Sequence, residues 1–329
     1  MPRAWTLERR PDGMPTAADF ALKDIDLPPL AEGQVRLRNL WLSVDPYMRG
    51  RMNDAKSYAA PFDLGAPMTG GAVGEVVESR FDGLSVGDHV LHMDGWRDEA
   101  VVAGKAVQKL PDLGVPPQAF LGQFGMPGMT AYFGLLDVAE AKAGDTVFVS
   151  AAAGAVGSTV VQVAKAKGMT VIGSAGGADK CAWVRTLGAD HVIDYKAEPS
   201  IVKALLAVAP QGIDVYFDNV GGEHLDAALA AANLHARFAI CGMIDIYNTT
   251  EPTRLRYLAK VIGARLRITG LLVSDHMHKA DAFYRDMAAM QAAGQLQREE
   301  TIVEGLDAMP EAFLGLFSGA NTGKMLVRV

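Results

Sequence analysis

The chain is expected to be α/β: a six-stranded, doubly wound parallel sheet, preceded by a β-rich, partly open barrel. Three observations carry that expectation. Short apolar strands alternate with helix-period segments from 146 to 272. A small-residue turn, Ala152-x-Gly154-x-x-Gly157, sits between the first of these strands and its helix. Before position 122 the strands are irregular, closely spaced and punctuated by Pro and Gly.

In chain order, the first region has candidate strands at Ala4–Arg9, Phe20–Asp26, Gln34–Ser43, Gly70–Ser79, His89–Met93 and Glu99–Val102. Such spacing suits a partly open barrel and not a βαβ sheet. Gln123 to Tyr132 then opens a helix expected to run to about Ala139. Strands follow at 146–150, 170–174, 190–193, 213–217, 236–241 and 265–272, with helices starting near 156, 179, 198, 222 and 253. Six strands with helical crossovers make two mononucleotide-binding halves. A helix is expected at 278–293, then a strand at 301–303, a helix from Gly305 to Phe317 and a strand from Lys324 to Arg328. This tail is too short for a domain and is expected to return to the first one. The reading is thus residues 1–122, completed by 300–329, and residues 123–299, with a catalytic cleft expected between them.

Length and composition narrow the function. The 329 residues have room for two domains, and a 50% hydrophobic content is that of a globular protein with a sizeable core. A net charge of −7 argues against a nucleic-acid partner. The start, Met1-Pro2-Arg3-Ala4-Trp5, lacks the apolar core of a signal peptide, and no stretch is apolar enough to span a membrane, so a cytoplasmic location is expected. The two cysteines, Cys181 and Cys241, form no CxxC and read as buried structural thiols.

The turn at Ala152 to Gly157 is a dinucleotide fingerprint with alanine in place of the first glycine. Gly154 would let the backbone approach a pyrophosphate, and Gly157 would let the helix pack closely on the strand. An NAD-preferring site places an acid about 20 residues further on, at the end of the second strand. Here that end is Ser174-Ala175-Gly176, with Lys180 just beyond. A missing acid and a nearby cation suit a 2′-phosphate, so NADP(H) is expected over NAD(H). Turn residues cluster at three further strand ends: Asp218 to Gly222, Cys241-Gly242-Met243 with Tyr247-Asn248 beyond, and Leu271 to Ser274.

Other chemistries lack their residues. None of the seven histidines lies in an HExxH; His276 and His278 read as surface residues. Tyr257 and Lys260 are three apart, not the four of a short-chain dehydrogenase, and there is no G-x-S-x-G or P-loop.

The stretches Ser43 to Gly50 (SVDPYMRG), Gly125 to Tyr132 (GMPGMTAY), Ala151 to Gly157 (AAAGAVG), Asp218 to Gly222 (DNVGG), Cys241 to Ile244 (CGMI) and Asn321 to Lys324 (NTGK) together carry a resemblance over nearly the whole chain. The sequence resembles the zinc-independent medium-chain dehydrogenase/reductases, in the prostaglandin reductase and leukotriene hydroxydehydrogenase branch that includes plant double-bond reductases and bacterial curcumin reductases. The resemblance implies a GroES-like catalytic domain and a Rossmann domain. Gly71 stands where zinc-dependent relatives carry a histidine ligand, so no metal is implied.

The implied reaction is NADPH-dependent reduction of the carbon–carbon double bond of an α,β-unsaturated ketone or aldehyde, by a homodimer. By the same resemblance, Gly176, Lys180, Tyr195, Asn321 and Gly323 would surround the 2′-phosphate and ribose. Ala153, Gly154, Ala155 and Val156 would hold the pyrophosphate. Met126, Thr130, Asn219, Cys241, Leu271 and Val273 would line the nicotinamide half, with Tyr247 beside them. Tyr47 would orient the substrate and Tyr247 would be the second catalytic tyrosine. Gly263 and Ser274 replace tyrosines of the plant and mammalian enzymes, so substrate identity does not carry over. Two alternatives stand: a quinone oxidoreductase, and a nucleotide-sensing protein without turnover.

Overall fold

The structure is a computed structural model that describes residues 1–329. The chain forms two compact units, Met1–Leu121 with Glu300–Val329, and Gly122–Glu299.

The first unit is built on one long strand. Strands β1 (Arg3–Leu7) and β2 (Phe20–Asp24) form an antiparallel pair. Strand β3 (Gln34–Ser43) leads into the short helix α1 (Met48–Arg51) and is followed by β4 (Ala72–Ser79), β5 (His89–His92), β6 (Glu99–Ala103) and β7 (Gln108–Lys109). Register shifts interrupt the β3–β4 ladder between Arg36 and Leu37 and between Asn39 and Trp41. Such bulges bend a strand and increase its twist.

Asn39, at that bend, is buried and so must be paired. His92 Nδ1 accepts from the Asp94 N–H (3.2 Å), which leaves Nε2–H to donate to Asn39 Oδ1 (2.8 Å). Asn39 Nδ2 then donates to the carbonyls of Asp94 (3.1 Å) and Arg97 (2.8 Å). The network locks the loop from Met93 to Asp98 against β3. Trp96, in that loop, has φ +60° and is fully buried. It stacks on Phe20 (5.9 Å) and meets the edge of Phe313 (5.9 Å).

The second unit opens with α2 (Met126–Phe133), which widens into a π-helical turn at Gly134–Val138 instead of continuing as α-helix to Ala139. Then come β8 (Thr146–Val149), α3 (Ala155–Ala166), β9 (Thr170–Ala175), α4 (Ala178–Thr186), β10 (His191–Asp194), α5 (Ile201–Val208), β11 (Ile213–Asp218), α6 (Gly222–Ala231), β12 (Ala232–Ile240), α7 (Lys260–Ala264), β13 (Arg267–Gly270) and α8 (Ala280–Ala292). All six strands are parallel, in the order β10-β9-β8-β11-β12-β13. Across three neighbouring strands Phe148 stacks on Tyr216, which meets Phe238 edge to face, and all three are fully buried or nearly so. Burying each contributes about 1.5–3 kcal/mol.

The helix expected near 253 does not form there. Pro252 disfavours helix at the residue before it, and the segment instead hangs on Asp226 of α6. That carboxylate accepts from Arg256 Nε (2.9 Å) and the Tyr257 N–H (3.0 Å), and helix starts only at Lys260. His276 is also not a plain surface residue. It stacks on Phe133 (5.4 Å) and lies 3.4 Å from Asp137.

The tail returns to the first unit. Strand β14 (Glu300–Glu304), helix α9 (Met309–Ser318) and β15 (Lys324–Arg328) close the chain, with β15 parallel to β14 and antiparallel to β3. One edge of β3 thus carries β6 on its first half and β15 on its second. No helix in the chain is long and apolar enough to cross a membrane.

Two buried histidines give the fold a pH signature. Burial, helped by Arg97, depresses His92 to about 3; burial alone depresses His224, whose Nε2 meets Ser174 Oγ, to about 4. An unfolded histidine binds its proton near pH 6.5. Below about pH 6.5 the unfolded state therefore holds more protons, and stability falls as pH drops toward 4 and then 3. Each histidine contributes a slope of about 1.4 kcal/mol per pH unit. Thermal midpoints should fall steadily from pH 6.5 to 4.5, and a His92→Gln variant should show about half the slope. A flat profile over that window would contradict the assignment.

Candidate active site at the carboxyl ends of the parallel strands

The strand order reverses between β8 and β11, which leaves a crevice at their carboxyl ends. The fingerprint turn forms one wall. Ala151 has φ +48°, the left-handed region that costs a residue with a Cβ about 1–2 kcal/mol. The backbone strain falls at Ala151, one residue before the alanine that stands in the place of the fingerprint's first glycine. Ala152 N–H donates to Ser174 O (2.8 Å) and ties the turn to β9. The Ala151 carbonyl points under α3: a Cβ on Gly157 would lie 2.2 Å from it. Only glycine allows the first turn of α3 to sit so low. Gly154 is the N-cap, no side chain caps the helix, and Ala153, Ala155 and Val156 flank it. This arrangement suits a pyrophosphate, whose charge the helix N-terminus favours.

The end of β9 forms the next wall. A Cβ on Gly176 would fall 2.7 Å from the Tyr195 hydroxyl and 3.0 Å from Lys196 Cε, so the turn, the ring and the lysine stem are in close contact. Lys180 is half-buried; burial and the charge of Lys196 both lower its pKa. Two cations that disfavour each other gain from an anion between them. The Asp194 carboxylate, at the end of β10, is engaged by backbone: its Oδ1 accepts from the Gly177 (2.8 Å) and Lys196 (3.1 Å) N–H groups. Gly176, Lys180, Tyr195 and Lys196 thus fit a ribose that carries a 2′-phosphate. Lys196 was not singled out from the sequence; the signal was there, as a second lysine at the end of the neighbouring strand.

At the switch point itself, Ser150 and Asp218 hold Asn219. Asn219 N–H donates to Ser150 Oγ (2.9 Å) and its Nδ2 to Ser150 O (2.8 Å). Asp218 is fully buried, and its Oδ1 accepts from Ser150 Oγ (3.2 Å), Tyr216 Oη (2.7 Å) and the N–H groups of Val220 (2.9 Å) and Gly221 (2.8 Å). Burial pushes the carboxyl pKa up against the pull of those donors. Cys241 N–H donates to Asp218 O (2.9 Å). Burial, with Asp218 nearby, pushes the Cys241 thiol up to about 12, so it is a neutral wall and not a nucleophile. Ser150 is a second residue missed in the sequence, where it reads as the last residue of a strand.

The remaining expected residues of this unit divide. Tyr247 lies past the end of β12, and its hydroxyl accepts from the Met243 N–H (3.4 Å), so it braces its own loop. Thr130 Oγ1 donates back to Met126 O (2.7 Å) within α2, where Met126 is exposed at the helix start. Leu271 N–H donates to Ile240 O (3.0 Å) just beyond β13, and Val273 opens the short helix after it.

In the first unit, Tyr47 is half-buried at the start of α1 and packs on the core of Met48, Met52 and Phe62. Burial, the largest effect, raises its pKa and keeps the phenol protonated. The charge of Asp45 works in the same direction and Arg51 against it, with burial prevailing, so the phenol keeps its proton to give. Asn321 Nδ2 donates to Gly323 O (2.8 Å), and Gly323 turns the chain with φ +65°. No group of three or more His, Cys, Asp or Glu side chains able to hold a metal ion occurs in the structure.

Comparison with known proteins matches residues 3–110 to the N-terminal domain of an oxidoreductase family and residues 155–291 to a family described as zinc-binding dehydrogenase. The chain is 43% identical to the NADPH-dependent curcumin reductase of Escherichia coli strain K12, over 99% of this chain and 96% of the relative. It is 42% identical to prostaglandin reductase 1 of Bos taurus, over 99% and 98%. The crystal structure of CurA from Vibrio vulnificus in complex with NADPH superposes with a TM-score of 0.94, at 44% identity, over 99% of both chains. The chain therefore belongs to the zinc-independent medium-chain dehydrogenase/reductases, in the branch of the prostaglandin and curcumin reductases.

Proposed function

We propose that this protein is an NADPH-dependent reductase of the carbon–carbon double bond of α,β-unsaturated ketones and aldehydes. The observation that carries the reading is its whole-length likeness to reductases named for NADPH, curcumin and prostaglandins. The residues at the ends of β8 and β9 support the cofactor half: the low turn at Gly157 and the Lys180–Lys196 pair fit a 2′-phosphorylated dinucleotide. Ala153 to Val156 would hold the pyrophosphate; Gly176, Lys180, Tyr195, Lys196, Asn321 and Gly323 would hold the 2′-phosphate and ribose. Asn219, Cys241, Leu271, Val273, Met126 and Thr130 would line the nicotinamide.

Bound NADPH supplies the hydride that reduces the β-carbon. As the β-carbon gains that electron pair, the π electrons move to the carbonyl oxygen, and the enolate formed needs a donor at that oxygen. Tyr47 fits this task in its protonation state, since burial holds the proton on. Protonation of the α-carbon by a tyrosine or water completes the reduction. Tyr247 would act second, releasing its bond to the Met243 N–H, or would serve only to hold its loop.

The partner reading is a homodimer. Every residue of the edge strand β13 is exposed, Ile268 at 41%, with Ile262 (82%) and Leu258 (52%) nearby. An unpaired apolar edge invites pairing with a copy of itself. Both cysteines are free thiols, which fits a reducing compartment, taken here as the cytoplasm and checked by cell fractionation.

NADPH oxidation over a panel of alkenals, enones and quinones tests the reading: turnover on enones is expected, whereas activity on quinones alone, or binding without oxidation, would overturn it. In the same assay a Lys180→Ala/Lys196→Ala variant should raise KM for NADPH about tenfold or more while leaving the weaker use of NADH nearly unchanged. Light scattering should give twice the 35.0 kDa chain mass, and a monomer would remove the dimer.

A further inference from the structure

Lys324 is the first residue of β15, 4% exposed, and its ammonium is used completely. Its three N–H groups go to Val44 O (2.7 Å), Asp45 Oδ1 (3.1 Å) and Met325 O (2.9 Å). Asp45, 6% exposed, takes the Ser43 hydroxyl on its other oxygen. The ion pair is thus satisfied on both sides, away from water. The attraction between two desolvated charges returns little net energy, and what the ammonium contributes besides is its two bonds to backbone carbonyls. What the charged pair adds is direction: it clamps two consecutive residues, Val44 and Asp45, onto the start of β15.

Those two residues lead straight into Pro46-Tyr47. Pro46 has a ring-fixed φ, so little freedom is left between the clamp and the tyrosine. On the other side, Met48 N–H donates to Asp45 O (3.2 Å), Arg49 N–H to Pro46 O (3.1 Å) and Gly50 N–H to Tyr47 O (3.1 Å). The backbone is therefore held both before and after Tyr47. We propose that the buried Asp45–Lys324 pair is a positioning device for the Tyr47 hydroxyl and so acts on turnover. The proposal rests on the reading of Tyr47 as the substrate-orienting donor. A hydroxyl that must meet an oxygen at hydrogen-bond distance tolerates a displacement of well under 1 Å.

The test is a cycle between Tyr47→Phe and the charge-removing double variant Asp45→Asn/Lys324→Met, in the full-length protein. It reads kcat and KM for a small enone, the Kd for NADPH by fluorescence, and the thermal midpoint. The double variant should keep its NADPH affinity and lose about tenfold or more in kcat, with a midpoint lowered only by the donors withdrawn from the Val44 and Met325 carbonyls. In the Tyr47→Phe background the same changes should cost less than about threefold further, because the group they position is already gone. Ser43→Ala, which removes only the brace on Asp45, should give a smaller loss with the same dependence, and it decides the matter if the double variant does not fold. Equal losses in both backgrounds, or wild-type turnover in the double variant beside a Tyr47→Phe deficit, would overturn the positioning role alone. A Tyr47→Phe enzyme with wild-type turnover would remove Tyr47 from the mechanism and this role with it.

Discussion

The nucleotide-binding unit depends on one close approach, that of the Ala151 carbonyl to the backbone of Gly157. The 2.2 Å separation that a Cβ would have there sets how low α3 sits on β8. The left-handed turn at Ala151 aims that carbonyl, and the Ala152 bond to Ser174 O fixes the turn to β9. From it follow an uncapped helix start for a pyrophosphate, the position of Gly176 against Tyr195, and the place where Lys180 emerges. The strain at Ala151 is held by the sheet on one side and the helix on the other, as strained residues at functional sites require.

Electrostatics then divides the crevice into two halves. Beside Gly176, burial and Lys196 lower the pKa of Lys180, and the Asp194 carboxylate is engaged by the N–H groups of Gly177 and Lys196. The other end is the reverse. Asp218 is fully buried and Cys241, expected to be buried like Cys181, is partly exposed, yet their surroundings resist charge on both. Ser150 holds Asn219 beside this wall through two hydrogen bonds. Polar placement in the first unit follows the same logic, with every donor of Lys324 and Nδ1, Nε2 of His92 accounted for.

Much of this was legible in the residues, for physical reasons. Parallel strands buried on both faces are unbroken apolar runs, so β8, β9 and β11 read directly within a residue or so of their ends. The missing acid after β9 pointed to NADP, which the NADPH-dependent relatives bear out. Other features have no local signature. An alanine in the left-handed region looks like any alanine, so the strain at Ala151 has no mark in the sequence. Lys196 acts from a neighbouring strand. The Asp45–Lys324 pair joins residues 279 apart in sequence, and only the return of β15 to β3 brings them together. The helix misplaced at 253 shows tertiary anchoring on Asp226 overriding periodicity.

The central claim is that hydride goes to carbon and not to oxygen-bearing carbon. Its most direct measurement is the product formed from NADPH carrying deuterium at the transferred position of the nicotinamide ring and a small α,β-unsaturated ketone, read by NMR. The account predicts a saturated ketone with deuterium on the β-carbon. An allylic alcohol with deuterium on the former carbonyl carbon would contradict it.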